Sequence, residues 1–267
     1  MTNTYWEERM ARAQGVLSDK NIAEINKQMK KYYRSLASQI VNDFEATYDK
    51  LLTMKQEGKV LSTADLYRLD RYWEMEAQLQ ERLKKLHDKS VKLLTNEFKQ
   101  QFKDIYNSLQ FKSLTAFTTI DDAAIDQLIK QVWCADGKSW SQRIWENTQL
   151  LQQTLNDELV HCVVTGQPTG KLKKLLQERF NVAYSRSDCL VRTEIAHIQT
   201  QAAQQRYQDY GIEEVQVFVD IDERTCPICK QHEGERYPVG SKMPVPFHPN
   251  CRCCMLPVVN PNKTTAK

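Results

Sequence analysis

Residues Ser62–Leu109 read STADLYRLDRYWEMEAQLQERLKKLHDKSVKLLTNEFKQQFKDIYNSL. Leu66, Leu69, Tyr72, Met75, Leu79, Leu83 and Leu86 recur at steps of three or four. After a gap at Ser90 the pattern resumes with Leu94, Phe98, Phe102, Ile105 and Leu109. Such spacing returns to one face of an α-helix and predicts a single amphipathic helix of about 45 residues. Ser62, with Asp65 three residues on, supplies a variant of the capping box at its start. No glycine or proline occurs between Lys59 and Asp136, and helix interiors exclude both.

Outward from this stretch, proline divides the chain. Residues 1–167 contain none, and seven of the eight fall between Pro227 and Pro261. The first two thirds therefore read as helical and the remainder as turn-rich. An earlier helix is expected from about Asp19 to Lys55, ending at Glu57-Gly58. Further helices are expected near 121–134, 139–164 and 170–180, and another over Tyr184–Tyr210 with Gly211 at its C-cap. Glu213–Val219 (EEVQVFV) alternates and is rich in valine, which predicts a strand. The long stripes fit a helical bundle or coiled coil, and equally a surface that docks onto a large partner.

Composition narrows the class. The 267 residues are 41% hydrophobic and 27% charged. The mean hydropathy of -0.62 suits long helices with wide solvated faces. A net charge of +3 is too near neutral to argue for nucleic-acid binding by itself. The basic positions Lys171, Lys173, Lys174, Arg179 and Arg186 are diluted by Glu178 and Asp188 and read as a solvated face. The opening MTNTYWEERMARAQ has no apolar run, so no secretory signal is expected, and no stretch of 18 apolar residues predicts a membrane span. Thiols are then expected to be reduced, and clustered cysteines to bind metal.

Thr225–Met255 reads TCPICKQHEGERYPVGSKMPVPFHPNCRCCM and holds five of the eight cysteines. Zinc takes four ligands in a tetrahedron, from thiolate sulfur and imidazole nitrogen. Cys226 and Cys229, two residues apart, reach one metal from a tight turn. His248 and Cys251 repeat that spacing further on, and prolines 244, 246 and 249 stiffen the returning segment. Cys253 competes for the fourth position, giving an all-sulfur set of Cys226, Cys229, Cys251 and Cys253. His248 with Cys251 is the preferred pair. Cys254 is set aside, because adjacent side chains of an extended segment point to opposite sides. The segment has few large apolar residues, so a structural zinc is the expected source of its stability. His232, Glu233 and Glu235 read as loop charges rather than an acid–base apparatus.

Tyr184–Val259 resembles the C-terminal region of the phage minor head proteins, the Mu F-like or phage head morphogenesis family. The resemblance is carried by Arg192-Thr193-Glu194 on a helix, the strand, Asp222-Glu-Arg-Thr-Cys-Pro-Ile-Cys229, the glycine loop at Glu233–Glu235, and Phe247-His-Pro-Asn-Cys-Arg-Cys253. It implies a low-copy, non-enzymatic virion protein of the phage head interior, present in the host cytoplasm during assembly. The expected partners are the portal protein, coat or scaffold protein, and packaged DNA. Its expected work is procapsid assembly, DNA packaging or DNA delivery. Within the motif, Arg192 or Glu194 is expected to tie the helix to the cysteine module through Arg224 or Asp222. The rival reading is an enzyme, a zinc-dependent nuclease or an ADP-ribosyltransferase-like protein.

The expected architecture is mainly α. Long amphipathic helices fill a helical region over 1–180. A small α+β zinc-stabilised C-terminal module follows over 181–259, then a tail over 260–267.

Overall fold

The computed structural model describes residues 4–60, 62–109, 120–219 and 221–258. The tail expected at 260–267 lies outside the described residues. Helices dominate: α1 (Thr4–Gln56), α2 (Thr63–Tyr67), α3 (Asp70–Ser108), α4 (Asp122–Lys130), α5 (Trp140–Thr165) and α6 (Thr169–Asp209). A small antiparallel sheet follows, built from β1 (Glu214–Phe218), β2 (Arg236–Pro238) and β3 (Cys254–Pro257) in the order β2-β1-β3. The short helix α7 (Pro227–Gln231) lies between β1 and β2. The class is the one expected: mainly α, with a small α+β module at the C-terminal end. Among the described residues no helix is long and apolar enough to cross a membrane.

The stripe is buried as its spacing predicts. Leu66, Met75, Leu79, Leu83, Leu94, Phe98, Phe102 and Ile105 are all at most 3% exposed. The gap at Ser90 is buried too, and its hydroxyl donates to the Leu86 carbonyl at 2.7 Å. Two helices carry the stripe, however, not one. α2 starts with the expected capping box between Ser62 and Asp65 and ends at Arg68. Leu66, Leu69, Tyr72 and Met75 advance by three steps of three. Each step falls about 60° short of a full turn, so a continuous helix would place Leu66 roughly opposite Met75. A break at Arg68–Leu69 buries both. Trp73 closes the corner, donating from Nε1 to the Tyr67 carbonyl at 2.7 Å.

Three other boundaries differ from expectation. α1 starts at Thr4, well before Asp19, since a lone Gly15 costs only about 1 kcal/mol in a helix interior. It ends where expected: Gly58 is left-handed (φ 74), and the Lys59 N–H reaches the Met54 carbonyl at 2.9 Å. The segments expected at 170–180 and 184–210 form one helix, because no glycine or proline lies between Gly170 and Gly211. Gly211 (φ 67) closes it in the same way, with Ile212 N–H on the Tyr207 carbonyl at 2.9 Å. α4 stops at Lys130 rather than near 134. Gln131 turns extended (ψ 133), and Trp133, beyond the helix, stacks on His197.

The chain forms two compact units interleaved in sequence. One takes Met1–Ile25, Leu94–Trp133 and Cys189–Lys267; the other takes Asn26–Leu93 and Cys134–Asp188. α1, α3 and α6 each contribute to both.

The second unit is a helical bundle. Ile40, Phe44 and Tyr48 of α1, Leu79 and Leu83 of α3, Leu155 of α5 and Leu176 of α6 are buried in its core. Polar contacts join the helices around that core. Arg82 pairs with Asp43 at 2.5 Å, Asn147 bonds to Ser187 at 2.9 Å, and Arg179 bonds to Glu158.

The first unit holds the sheet and the end of α6, whose residues Glu194–Thr200 are buried on every side. A hydrogen-bonded chain of polar side chains threads its core. Asn21 donates to Gln101, Gln101 to Ser18 (3.0 Å), Ser18 to Gln199 (2.6 Å), and Gln199 to Gln14 (3.0 Å). Gln14 donates to the Tyr207 hydroxyl (3.4 Å), which donates to the Met255 carbonyl of β3 (3.1 Å).

Candidate metal centre

The sheet sets the frame. β1 is the middle strand, with Val215 opposite Tyr237 of β2 and Phe218 opposite Cys254 of β3. The chain leaves β1, turns at 222–225, and enters α7. Cys226 is the N-cap of that helix and Pro227 its first residue, a position where the missing N–H is not needed. The Cys226 sulfur accepts from the Cys229 N–H at 3.3 Å. The Cys-x2-Cys spacing thus becomes one capped helical turn that brings both sulfurs to one side.

The second half of the site is a tight turn. The Cys251 N–H bonds to the His248 carbonyl at 3.1 Å, Pro249 occupies the second position, and Asn250 the third with φ 61. Proline followed by a left-handed residue is the signature of a type II turn, and asparagine tolerates that conformation. The turn is tied to α6: Asn250 donates from its N–H to Thr193 Oγ1 at 3.1 Å and from Nδ2 to Cys189 Sγ at 3.4 Å.

Five donors meet. His248 Nε2 lies 3.1 Å from Cys226 Sγ and 3.0 Å from Cys229 Sγ. Cys229 Sγ lies 3.8 Å from Cys251 Sγ. Ligand atoms of Cys226, Cys229 and His248 lie within 4.8 Å of one another, as do those of Cys229, Cys251 and Cys253. Cys229 belongs to both sets. Two thiolates on one tetrahedral ion would stand about 3.8 Å apart, so the cluster is already near metal-binding size. A cavity of about 30 Å³ is lined among others by Cys226, Cys229, His248 and Cys253. His248 Nδ1 is 2.7 Å from the Pro249 carbonyl, which can only accept, so Nδ1 carries the proton and Nε2 presents its lone pair. The residues therefore fit a metal. Cys254, in β3, lies outside both sets.

Electrostatics follow from the crowding. The Cys229 N–H pulls the Cys226 thiol below its ordinary value. Burial pushes Cys229 up to about 12. A hydrogen bond from Cys253 brings Cys251 down to about 5, and the same bond, with burial, holds Cys253 protonated. A divalent cation would replace these protons and allow all the sulfurs to be thiolates together.

The charged residues of the motif take other places. Asp222 accepts a fork from Arg252 (2.9 and 2.5 Å) and a second pair of bonds from Arg224 (3.1 and 3.0 Å). Arg252 foremost holds its carboxyl well below the usual range. Glu194, buried on α6, accepts from Trp133 Nε1 at 2.9 Å, while Arg192 is exposed. α6 is tied to the cysteine module through Thr193 and Cys189 to Asn250, through Gln204 to Ser241 and through Tyr207 to Met255. Arg252 was passed over in the sequence reading. It stands between Cys251 and Cys253, and alternation along an extended segment could have shown it facing away from the sulfurs.

The loop acids are engaged. Glu233 accepts from the Val219 N–H at 2.5 Å. Glu235 accepts from the Tyr237 hydroxyl at 2.7 Å and lies 2.8 Å from His232 Nδ1, whose ring stacks on Phe247.

Residues 153–256 match the model of a protein family described as phage Mu protein F like. This stretch is similar to that family. The comparisons with curated proteins and with solved structures returned no match. The matched stretch starts within α5, takes in all of α6 and ends in β3, so it contains every candidate ligand. The α6 turn at Cys189–Thr193 that holds the His248–Cys251 turn belongs to it as well.

Proposed function

We propose that this chain is a minor head protein of a tailed phage, bound to the portal and working without catalysis in procapsid assembly, DNA packaging or DNA delivery. Coat or scaffold protein is a second partner. The protein resides inside the head and passes through the host cytoplasm during assembly. Its functional module is taken as 181–259, with zinc as a structural ion held by Cys226, Cys229, His248 and Cys251, and Cys253 hydrogen-bonded behind them.

The observation that carries the structural reading is the engagement of the acids around the cluster. Asp222 is locked by two arginines, Glu233 caps a backbone N–H, and Glu235 is shared by His232 and Tyr237. Catalytic zinc works with an open coordination position and an acid–base group beside it. Here five donors cluster, four of them lining a cavity of about 30 Å³, and the carboxylates brace the loops around it. Bound zinc supplies on the order of 10 kcal/mol of apparent binding free energy, enough to hold a segment with so little apolar mass.

Co-expression with the portal protein of the same virus, followed by affinity capture and quantitation, tests the assembly role. A stable complex of fixed stoichiometry is expected. Absence of binding to portal, coat and scaffold alike would overturn it. Metal analysis of the same preparation is expected to give one zinc per chain.

A further inference from the structure

A second feature lies in the helical bundle, in the groove between α1 and α6. It has a volume of about 310 Å³. Its floor is Tyr33, Ala37 and Phe180, all buried. Its rim is exposed and made of hydrogen-bond donors: Lys30, Arg34 and Ser38 from α1, Gln177 and Asn181 from α6. Among the described residues no carboxylate lines it.

The local sequence explains the sign of the groove. Between Glu24 and Asp43 the chain has Lys27, Lys30, Lys31 and Arg34 and no acidic residue. Lys30 and Arg34 are four apart, so they stand one above the other on the same helix face. Across the groove, Gln177 and Asn181 repeat the same step on α6. Two basic residues near the groove on α6 are different. Lys173 pairs with Glu45 and Arg179 with Glu158, both within 2.6 Å. Lys30 has only the Tyr184 ring, 5.8 Å away, and among the described residues neither Lys30 nor Arg34 has a carboxylate partner.

Two cations without counter-charge, flanked by neutral donors and set over an apolar floor, form a receptor for oxyanions. The i, i+4 spacing repeats along the groove and so suits an anion that also repeats. The rings are in the floor or covered by Lys30, which leaves no free aromatic face for a base to stack on. We infer that this groove binds the phosphodiester backbone of nucleic acid, without sequence preference. The inference does not depend on the portal reading, since a chain that releases DNA can still hold its protein partners.

The test uses the full chain and a fluorescently labelled 20-base-pair duplex, followed by anisotropy across a salt series. The double variant Lys30→Ala/Arg34→Ala is expected to weaken binding at least ~10-fold at low salt and to lower the salt slope by about 2. Lys84→Ala/Lys89→Ala on α3 removes the same charge outside the groove and is expected to change little. Asn181→Asp, which places a carboxylate in the groove, is expected to weaken binding with the melting curve unchanged. All these side chains are exposed, so circular dichroism should show native helix content. The inference fails if the full chain does not bind the duplex or if both double variants weaken it equally. It also fails if inorganic phosphate competes at micromolar concentration, which would assign the groove to a free anion. Competition by polyglutamate as strong as that by DNA of equal charge would assign it to an acidic protein instead.

Discussion

His197 is packed face to face on Trp133, with ring centroids 4.3 Å apart, and its Nε2 has no hydrogen-bond partner among the described residues. Burial holds its pKa down to about 4, from an ordinary value of 6.5. The folded state therefore refuses a proton that the unfolded chain accepts between those values. Above pH 6.5 the ring is neutral in both states and its contribution is intact. As pH falls from 6.5 towards 4, stability is lost, by roughly 3 kcal/mol in all. His197→Phe keeps the ring stack and removes the titration. Denaturant unfolding at pH 7.5 and pH 5 should show a smaller loss for the variant, and an equal loss in both proteins would show that His197 stays accessible to protons. A second single-residue prediction concerns the ligands. On the proposed ligand set, Cys251→Ser is expected to abolish stoichiometric zinc, whereas Cys253→Ser is expected to retain it with weaker affinity. The reverse order, read by metal analysis after dialysis, would assign the fourth position to Cys253.

Among the elements, the polar chain through α1, α3 and α6 has the clearest energetic signature. Gln199 sits between Ser18 and Gln14, and all three are at most 8% exposed. Gln199→Leu strands two buried partners and is expected to destabilise the protein by on the order of 2–4 kcal/mol. Ser18→Ala made together with Gln199→Leu should cost less than the sum of the two single changes, because one stranded group disappears. Simple additivity would mean that the groups are solvated. This chain was legible only in part. Gln14, Ser18 and Asn21 recur at helical spacing ahead of Ile25, but polar residues at such steps also describe a solvated face. Only the neighbouring helices decide which it is. The break at Arg68–Leu69 was legible in principle, in the three successive steps of three from Leu66 to Met75. The end of α4 was not, because Trp133 leaves the helix for a stacking partner 64 positions further along the chain.

At the level of the whole molecule, the proposed zinc would stabilise a different part from the hydrophobic core of the bundle. The module from β1 to β3 holds a three-stranded sheet and the cysteine cluster, whereas the bundle built from Asn26–Leu93 and Cys134–Asp188 has its own buried leucines and aromatics. Chelation with a strong zinc ligand should raise hydrogen exchange across 214–258 while the core of that bundle stays protected. Uniform loss of protection would mean that the two parts unfold as one. The cysteine and histidine spacing pointed to the cluster from sequence, because ligands two residues apart have few ways to be arranged. Arg252 on Asp222, Trp133 on Glu194 and Thr193 on Asn250 did not show, since each of these bonds joins residues brought together only by the fold. The direction of the polar chain has one more consequence. The Met255 carbonyl can only accept, so the Tyr207 hydroxyl must face it, which leaves that oxygen open to the Gln14 amide. Gln14 must then turn its own oxygen to Gln199, Gln199 to Ser18, Ser18 to Gln101 and Gln101 to Asn21. One main-chain oxygen at the sheet edge thereby removes the left–right ambiguity of every amide behind it. If β3 withdrew, the whole row could reverse its sense without moving a helix.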